Sequence, residues 1–334
     1  GNKLPEYEKI EKVEITRLPS RNLGFYKLPS KKKLLPLLKD ADIIHIHGFG
    51  GWLDTIALNR SKLKGKIILT THGGFFHTPQ RTLLKQFYLK IWLPYISGKV
   101  DHVIYVSHSD FEKLHAYMKR DYSIIPNGVD TRLFETMPLA KRNRHELVFL
   151  GRISQNKRVD YLIHAMGITI QTIPDLHLHI LGKDWEGLQP KLMELARTKG
   201  ISGNIHFHGE AEESEINSHF RKAGYFISAS EYEGFGMSVI EAMAAGLVPL
   251  LNSIPTFLEF AGEKKERGFI IDFSNEKNAG NEMAKAVSMP EKSFFAFQKK
   301  ARAYSKRFSL PSIMDQHLQI YAKLCTTTRS ATKS

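Results

Sequence analysis

The chain has 334 residues, a formal net charge of +14 and a single cysteine, Cys325. That length exceeds what one hydrophobic core usually serves and asks for two α/β domains. A lone cysteine excludes an internal disulfide, and the charge demands an anionic partner or surface.

The opening residues 1–11 are polar, and the first strand signal is 13–18. Apolar or β-rich runs follow at 43–47, 67–71, 103–107 and 123–125, with helical stretches between most of them. That is a parallel-sheet rhythm. His45 and His47 alternate along one strand and so share a face, and the Gly48-Phe49-Gly50-Gly51 string after them reads as a tight turn. Next comes Thr71-His72-Gly73-Gly74-Phe75-Phe76-His77-Thr78 at a strand end. There Gly73 and Gly74 permit close backbone approach to a ligand, and His72 can donate or accept a proton. No cysteine and no clear third ligand accompany these histidines, so the site is read as metal-free.

Between Asp54 and Asp101 no acidic residue occurs, while Arg60, Lys62, Lys64, Lys66, Arg81, Lys85, Lys90 and Lys99 do. Within this basic stretch Leu83, Phe87, Ile91 and Tyr95 recur every fourth residue, with Leu84, Tyr88 and Trp92 beside them, before Pro94 ends or kinks the helix. Two readings compete. One is a core-facing helix with a solvated rim; the other is an interfacial helix whose Trp, Tyr and Lys residues sit at the headgroups of an anionic membrane. The longest apolar runs fall short of the roughly 20 residues of a spanning helix. No signal-peptide pattern opens the chain, so a soluble or peripheral protein is expected. Nucleic acid is set aside as a partner, because no binding module interleaves aromatics with the basic residues.

Past the turn Pro126-Asn127-Gly128, a domain junction is placed near 135–145. Strand signals then recur at 147–150, 176–181, 204–208, 225–229, 248–251 and 269–271, the pattern of a doubly wound sheet with ligands at the C-terminal strand ends. Helical patterns at 291–307 and 312–324 follow, and the Thr- and Ser-rich end from Thr326 reads as disordered. The expected domains are 1–140, 141–310, a closing helix 311–325 and a tail 326–334.

Two loops of this second half carry the chemistry. Strand 147–150 runs into Gly151-Arg152-Ile153-Ser154-Gln155-Asn156-Lys157-Arg158, where an arginine fork and a lysine point charge can meet one diphosphate. Strand 225–229 runs into Glu233-Gly234-Phe235-Gly236-Met237, whose glycine turn offers backbone N–H groups at a helix N-terminus. Glu233 stands before those donors and Glu241 inside the helix, two carboxylates able to accept from ligand hydroxyls. The combination suits a sugar nucleotide.

The loop from His72 to Thr78, the Asn127-Gly128-Val129-Asp130 turn, the Gly151-Arg152 to Lys157 loop and the Glu233/Glu241 pair stand in the order found in retaining glycosyltransferases of the GT-B fold, family four. The chain resembles them over about residues 42–324. Its His-Gly-Gly-Phe-Phe-His-Thr string is most similar to the bacterial α-mannosyltransferases of exopolysaccharide assembly that act on polyprenyl-diphosphate-linked oligosaccharides. The resemblance implies two Rossmann-like domains facing a cleft, with the nucleotide sugar on the C-terminal one. It implies that Arg152 and Lys157, with the N–H groups of Gly236 and Met237, neutralise the diphosphate. Glu241 would bind the ribose and Glu233 the donor sugar, while Gly151, Gly182 and Lys183 line the nucleotide. His72 would lie near the anomeric carbon and sugar hydroxyls, and Ser107 and His108, with Gly73 and Gly74, would border the acceptor. No separate cofactor is implied: the donor is GDP-mannose or a UDP-hexose, and the acceptor a lipid-linked saccharide at the cytoplasmic membrane face. No residue stands out as a covalent nucleophile, so front-face retaining transfer is expected.

Family members open with a strand and glycine-rich loop absent from this sequence, and 13–18 reads as their third strand. Strand 43–47 is therefore expected at an unpaired edge. A piece cut from a longer protein, a separate segment or chain completing the sheet, and a naturally short domain are three explanations. A nucleotide-sugar epimerase of the same fold and a non-catalytic nucleotide-sugar binder are the competing functions.

Overall fold

Residues 4–23, 26–72, 86–139 and 142–331 are described by the computed structural model, which divides into two units, Gly1–Ile125 with Gln316–Ser334, and Pro126–Asp315. In the first unit, β1 (Tyr7–Ile10) and β2 (Val13–Thr16) form an antiparallel hairpin, and β3 (Ser20–Leu23) and β4 (Tyr26–Pro29) form a second. The 13–18 run is thus no member of the parallel sheet. Its alternation of Val13 and Ile15 with Glu14 and Thr16 belongs to a solvated strand, whereas a buried parallel strand is apolar on both faces. Pairs of opposite charge, Lys9 with Glu14 and Arg17 with Glu8, bridge the two strands.

After α1 (Lys31–Leu38), β5 (Ile43–His47), β6 (Lys66–Thr70), β7 (His102–Tyr105) and β8 (Tyr122–Ile124) pair in that order as a parallel sheet. Among the described residues β5 is an edge strand, as expected. The Gly48–Gly51 string turns the chain from β5 into α2 (Gly51–Leu58), and a Cβ on Gly51 would lie 2.3 Å from the Lys27 carbonyl oxygen of β4, so only glycine fits against that hairpin. Leu53, Ile67, Leu69, Val103 and Tyr105 form the core, each fully buried.

The basic, aromatic-rich segment is helical where described, but not uniformly. Tyr88–Trp92 is a π-helical turn that leads into α3 (Leu93–Ser97) with Pro94 in its first turn. A proline has no N–H for the carbonyl four residues back, and its ring crowds that carbonyl; a widened turn relieves both. Its residues divide by face. Leu93 and Ile96 are fully buried, and Tyr88, Leu89 and Trp92 pack partly against the core, whereas Phe87, Ile91 and Tyr95 are 53%, 59% and 53% exposed.

The second unit contains all six expected strands, β9 (Asn143–Leu150), β10 (His177–Leu181), β11 (Ile205–Gly209), β12 (Ala223–Ser228), β13 (Val248–Asn252) and β14 (Phe269–Ile271). They form one parallel sheet in the order β11-β10-β9-β12-β13-β14. Helices α6 (Val159–Thr169) and α7 (Gln189–Thr198) follow β9 and β10, α8 (Glu213–Lys222) and α9 (Met237–Ala245) flank β12, and α10 (Pro255–Ala261), α11 (Glu276–Val287) and α12 (Glu291–Ser305) complete the winding. Leu147, Phe149, Leu178, Ile180, Tyr225 and Ile227 fill its core.

The junction falls earlier than 135–145. Val129 pairs with Ser309 and exchanges backbone hydrogen bonds with Phe308 and Leu310, and Phe134 packs 5.9 Å from the Phe220 ring, so residues from Pro126 onward, including the short helix α5 (Arg132–Glu135), belong to the second unit. The C-terminal end also departs from expectation. Helix α13 (Leu310–Ala331) is continuous, the chain from Gln316 belongs to the first unit, and the 326–331 stretch is helical instead of disordered. Thr326 satisfies its hydroxyl on the Ala322 carbonyl at 3.1 Å, a back-bond that lets a hydroxyl-rich sequence stay helical.

Candidate active site

The strand order of the second unit reverses between β9 and β12, so their following loops depart in opposite directions and leave a crevice at their C-terminal ends. These are the two loops on which the sequence concentrates its chemistry. They are stitched together by Asn156, whose carbonyl accepts from the Glu231 N–H at 3.0 Å and whose side-chain amide donates to the Tyr232 carbonyl at 2.9 Å. Lys157 then donates to Glu233 Oε1 at 2.5 Å, with the two side chains only 15% and 14% exposed. Beside it Arg158 adopts φ +47°, spreads its guanidinium between Asp160 and Glu231, and lies over the Tyr161 ring. Thr256 donates to the Glu233 carbonyl at 3.0 Å, fixing the backbone from which that carboxylate projects.

Gly236, at φ +86°, is the residue before α9, and Phe257 and Phe260 crowd the place where its Cβ would stand. With no side chain there to cap the helix, its earliest N–H groups, Met237's among them, carry the positive end of the helix dipole, while those of Val239 and Ile240 bond back to the Gly236 carbonyl. Glu241 sits inside this helix, and burial raises its carboxyl above the usual glutamate range. A carboxylate one turn inside the helix and partly withdrawn from solvent is suited to a neutral hydroxyl-bearing ligand group, which satisfies its lone pairs without a competing charge.

At the neighbouring strand ends, Gly182 has φ +145°, and a Cβ there would lie 1.9 Å from the Gly151 carbonyl oxygen. Glycine is therefore required where the β9 and β10 loops pass each other, and backbone bonds from Gly151 to Leu181 and from Ile153 to Lys183 lock that approach. Lys183 is exposed and pairs with Glu210 at 3.0 Å. Arg152 leaves the same loop with its guanidinium over the Trp185 ring, 5.3 Å from the centroid. Lys157, Glu233, Gly236 and Met237 are thus brought to one place with Glu241 on the same helix, while Arg152 is placed on the Trp185 side.

In the first unit, His72 takes φ +51° just past β6, and its Nε2 lies 2.9 Å from His47 Nδ1. His45 stacks on His47 as the alternation requires, but its nitrogens are engaged by Thr70 at 2.7 Å and Tyr321 at 2.6 Å. Burial, reinforced by the neighbouring imidazoles, pushes His45 down to about 3, so it is a neutral structural histidine. Ser107 is buried and its hydroxyl accepts from the Asp110 N–H at 3.1 Å, capping α4 (His108–Leu114), whereas His108 is exposed. Gly73 and Gly74 lie outside the described residues. Sequence reasoning missed Asn156, Thr256 and Asp54. The last is a buried carboxylate on α2 that accepts from Tyr26 and from Trp92 at 3.0 Å, and the polar atoms of those aromatics were the available signal. A cavity of about 770 Å³ lined by Arg60, Lys99, His115 and Arg120 lies toward the N-terminal ends of β7 and β8, the opposite strand ends from His72.

Comparison with known proteins agrees with this architecture. Residues 134–306 match the family model "Glycosyl transferases group 1", and residues 1–133 match "Glycosyltransferase Family 4". A GDP-mannose:cellobiosyl-diphosphopolyprenol alpha-mannosyltransferase of Xanthomonas oryzae pv. oryzae is 26% identical over 91% of this chain and 80% of its own. The protein of the same name from Komagataeibacter xylinus is 24% identical over 96% and 81%. Among solved structures, sucrose-phosphate synthase from Thermosynechococcus elongatus superposes with a TM-score of 0.75 at 19% identity, covering 97% of this chain and 86% of that one. Anabaena HepE in complex with UDP and glucose gives 0.73 at 18% identity, covering 88% and 81%.

Proposed function

Because the chain belongs to the group 1 glycosyl transferases, a family 4 glycosyltransferase of the GT-B fold and so a hexosyl-transferring enzyme, we propose that it moves mannose from GDP-mannose to a lipid-linked saccharide with retention of configuration, in cell-surface polysaccharide synthesis. The observation that carries this reading is the Lys157–Glu233 pair at the reversal of strand order, beside the glycine-started helix that bears Glu241. The Xanthomonas and Komagataeibacter relatives, a GDP-mannose:cellobiosyl-diphosphopolyprenol alpha-mannosyltransferase in each case, suggest the donor and the class of acceptor.

Glycosyl transfer breaks the bond from the anomeric carbon to the diphosphate oxygen, so negative charge grows on the leaving group as positive charge grows on the sugar. Lys157, Arg152 and the N–H groups of Gly236 and Met237 stabilise that leaving charge, with no bound metal. Arg152 turns from Trp185 to do so. Glu241 holds the ribose hydroxyls, Glu233 the hydroxyls of the sugar, and the Gly151, Gly182 and Lys183 segment borders the nucleotide. The acceptor hydroxyl attacks from the face the diphosphate leaves, and a departing phosphate oxygen takes its proton. We assign the acceptor to the first unit through His72, Gly73, Gly74 and His108, with Ser107 holding α4 in place.

That unit also carries the exposed row of Phe87, Ile91 and Tyr95, with Lys90 on the same helix and Lys99 5.5 Å from the Tyr95 ring. An apolar row edged by cations matches the interface of an anionic membrane, where a polyprenyl-linked acceptor resides. Among the described residues no helix is long and apolar enough to cross one.

The test supplies GDP-mannose, UDP-glucose or UDP-N-acetylglucosamine with and without a polyprenyl-diphosphate-linked oligosaccharide, and follows nucleoside diphosphate release and product linkage. Acceptor-dependent GDP release with an α-linked product is expected. Conversion of the donor without acceptor would make the protein an epimerase, and a β-linked product would end the front-face reading.

A further inference from the structure

Away from the loops described above, the sheet of the second unit gathers imidazoles near its β11 edge. The register pairs His179 with His206, so the strand alternation puts His177 and His179 of β10 on one face with His206 and His208 of β11. From α8, His219 places its ring 4.7 Å from that of His179 and 4.4 Å from that of His208. One ligand nitrogen from each of His179, His208 and His219 lies within 4.8 Å of the other two. All three are half-buried, and none takes part in the donor site.

Their protons can be placed by the carboxylates around them. Nε2 of His179 is 2.5 Å from Glu146 Oε2, so the proton belongs on Nε2 and a lone pair on Nδ1. Nδ1 of His208 is 3.5 Å from Glu215 Oε1, so a proton on Nδ1, with the lone pair on Nε2, suits that carboxylate. The two inner nitrogens, His179 Nδ1 and His208 Nε2, face each other at 3.0 Å, a separation that one shared proton or one shared cation accounts for. Two imidazole nitrogens bound to one tetrahedral zinc at 2.0–2.1 Å stand about 3.3 Å apart, within a few tenths of an ångström of this separation. A carboxylate on the outer nitrogen of a ligating histidine is also the usual way such a ring is oriented and its basicity raised.

We propose that His179, His208 and His219 bind one divalent transition-metal ion, zinc being the best fit, with Glu146 and Glu215 orienting two of the rings and a water in the fourth position. Nitrogen ligands without an added carboxylate favour zinc, copper or nickel over magnesium or calcium. Such an ion joins β10, β11 and α8.

The experiment uses the full chain without a histidine tag, stripped with chelator and titrated with zinc chloride in a calorimeter, with magnesium chloride in parallel. A single equivalent of zinc per chain is expected, with no heat from magnesium and a higher melting midpoint in the zinc-loaded protein. His208→Ala and His219→Ala should lose both the binding and the midpoint shift, while His177→Ala, outside the trio, keeps them. Cobalt substitution reads the wild-type geometry without any variant: intense visible bands of a tetrahedral ion support the site. No zinc uptake by the wild type, equal uptake by the His208 and His219 variants, or only the weak spectrum of octahedral cobalt would overturn it.

Discussion

In the proposed donor site, Lys157 and Glu233 meet across two loops that the strand order makes neighbours. Each is held by loop contacts that leave little freedom: Lys157 follows Asn156, which is tied to Glu231 and Tyr232, and Glu233 is anchored through Thr256. A diphosphate arriving at the α9 amides meets an ammonium already positioned, so little reorganisation is needed as charge develops. Lys157→Ala is therefore expected to lower kcat/KM by about 100- to 1,000-fold, the loss of about 3–4 kcal/mol seen when one preorganised donor is removed. Glu233→Gln keeps the volume and one acceptor, and should lower kcat by at least about tenfold with a melting midpoint near wild type. Glu231→Gln, which touches Arg158 instead, should leave transfer within about threefold. Steady-state kinetics with the melting midpoint as control checks the set, and unimpaired transfer in Lys157→Ala removes the assignment. At this scale the sequence displayed the reactive groups but not their supports. The glycine turn and two glutamates are contiguous, whereas the Asn156 stitch and the left-handed Arg158 depend on which loops the sheet makes neighbours.

At the scale of elements, the π-helical turn at Tyr88–Trp92 decides what the basic segment can do. It turns Trp92 inward to donate to Asp54, whose carboxyl is raised by burial, and lets Phe87, Ile91 and Tyr95 project together. One row of the helix packs on the core, as the core-facing reading expects, while the next row stays exposed. Replacing Phe87, Ile91 and Tyr95 together by serine removes side chains that are each more than half exposed, and an unchanged melting midpoint checks that the fold persists. Flotation with phosphatidylglycerol vesicles should fall at least about tenfold. Wild-type flotation should itself weaken in high salt, since the screening length drops from about 10 Å at 0.1 M to about 3 Å at 1 M. Flotation unchanged by the triple substitution would move the membrane contact elsewhere. The strands of the second unit were legible because buried parallel strands are short apolar runs between turn residues. The hairpins at the start were not, because their exposed strands alternate with charge and carry no core signal. The helical end past Thr326 was hidden by its composition, which favours disorder, although the Thr326 hydroxyl bonds back to the Ala322 carbonyl.

For the molecule as a whole, the functional division follows from which unit holds which residues. All the groups assigned to the nucleotide sugar, from Gly151 to Glu241, belong to Pro126–Asp315, while His72 and His108 belong to the other unit. A nucleoside diphosphate without its sugar should therefore bind the second unit and stabilise it by mass action. At a free concentration 100 times Kd this amounts to about 2.7 kcal/mol, so core amides of β9 and β12 that exchange only when the unit opens should slow by about 100-fold. Amides near 151–158 and 230–241 should be protected directly, and those of β6 and β7 serve as the internal reference. GDP should produce this pattern at a lower concentration than UDP if the relatives' donor is also this chain's donor. Hydrogen exchange read by mass spectrometry resolves these segments. Protection confined to the first unit, or absent with every nucleoside diphosphate, would mean that the Lys157–Glu233 pair is a structural tie and that the donor binds where the strand order does not reverse.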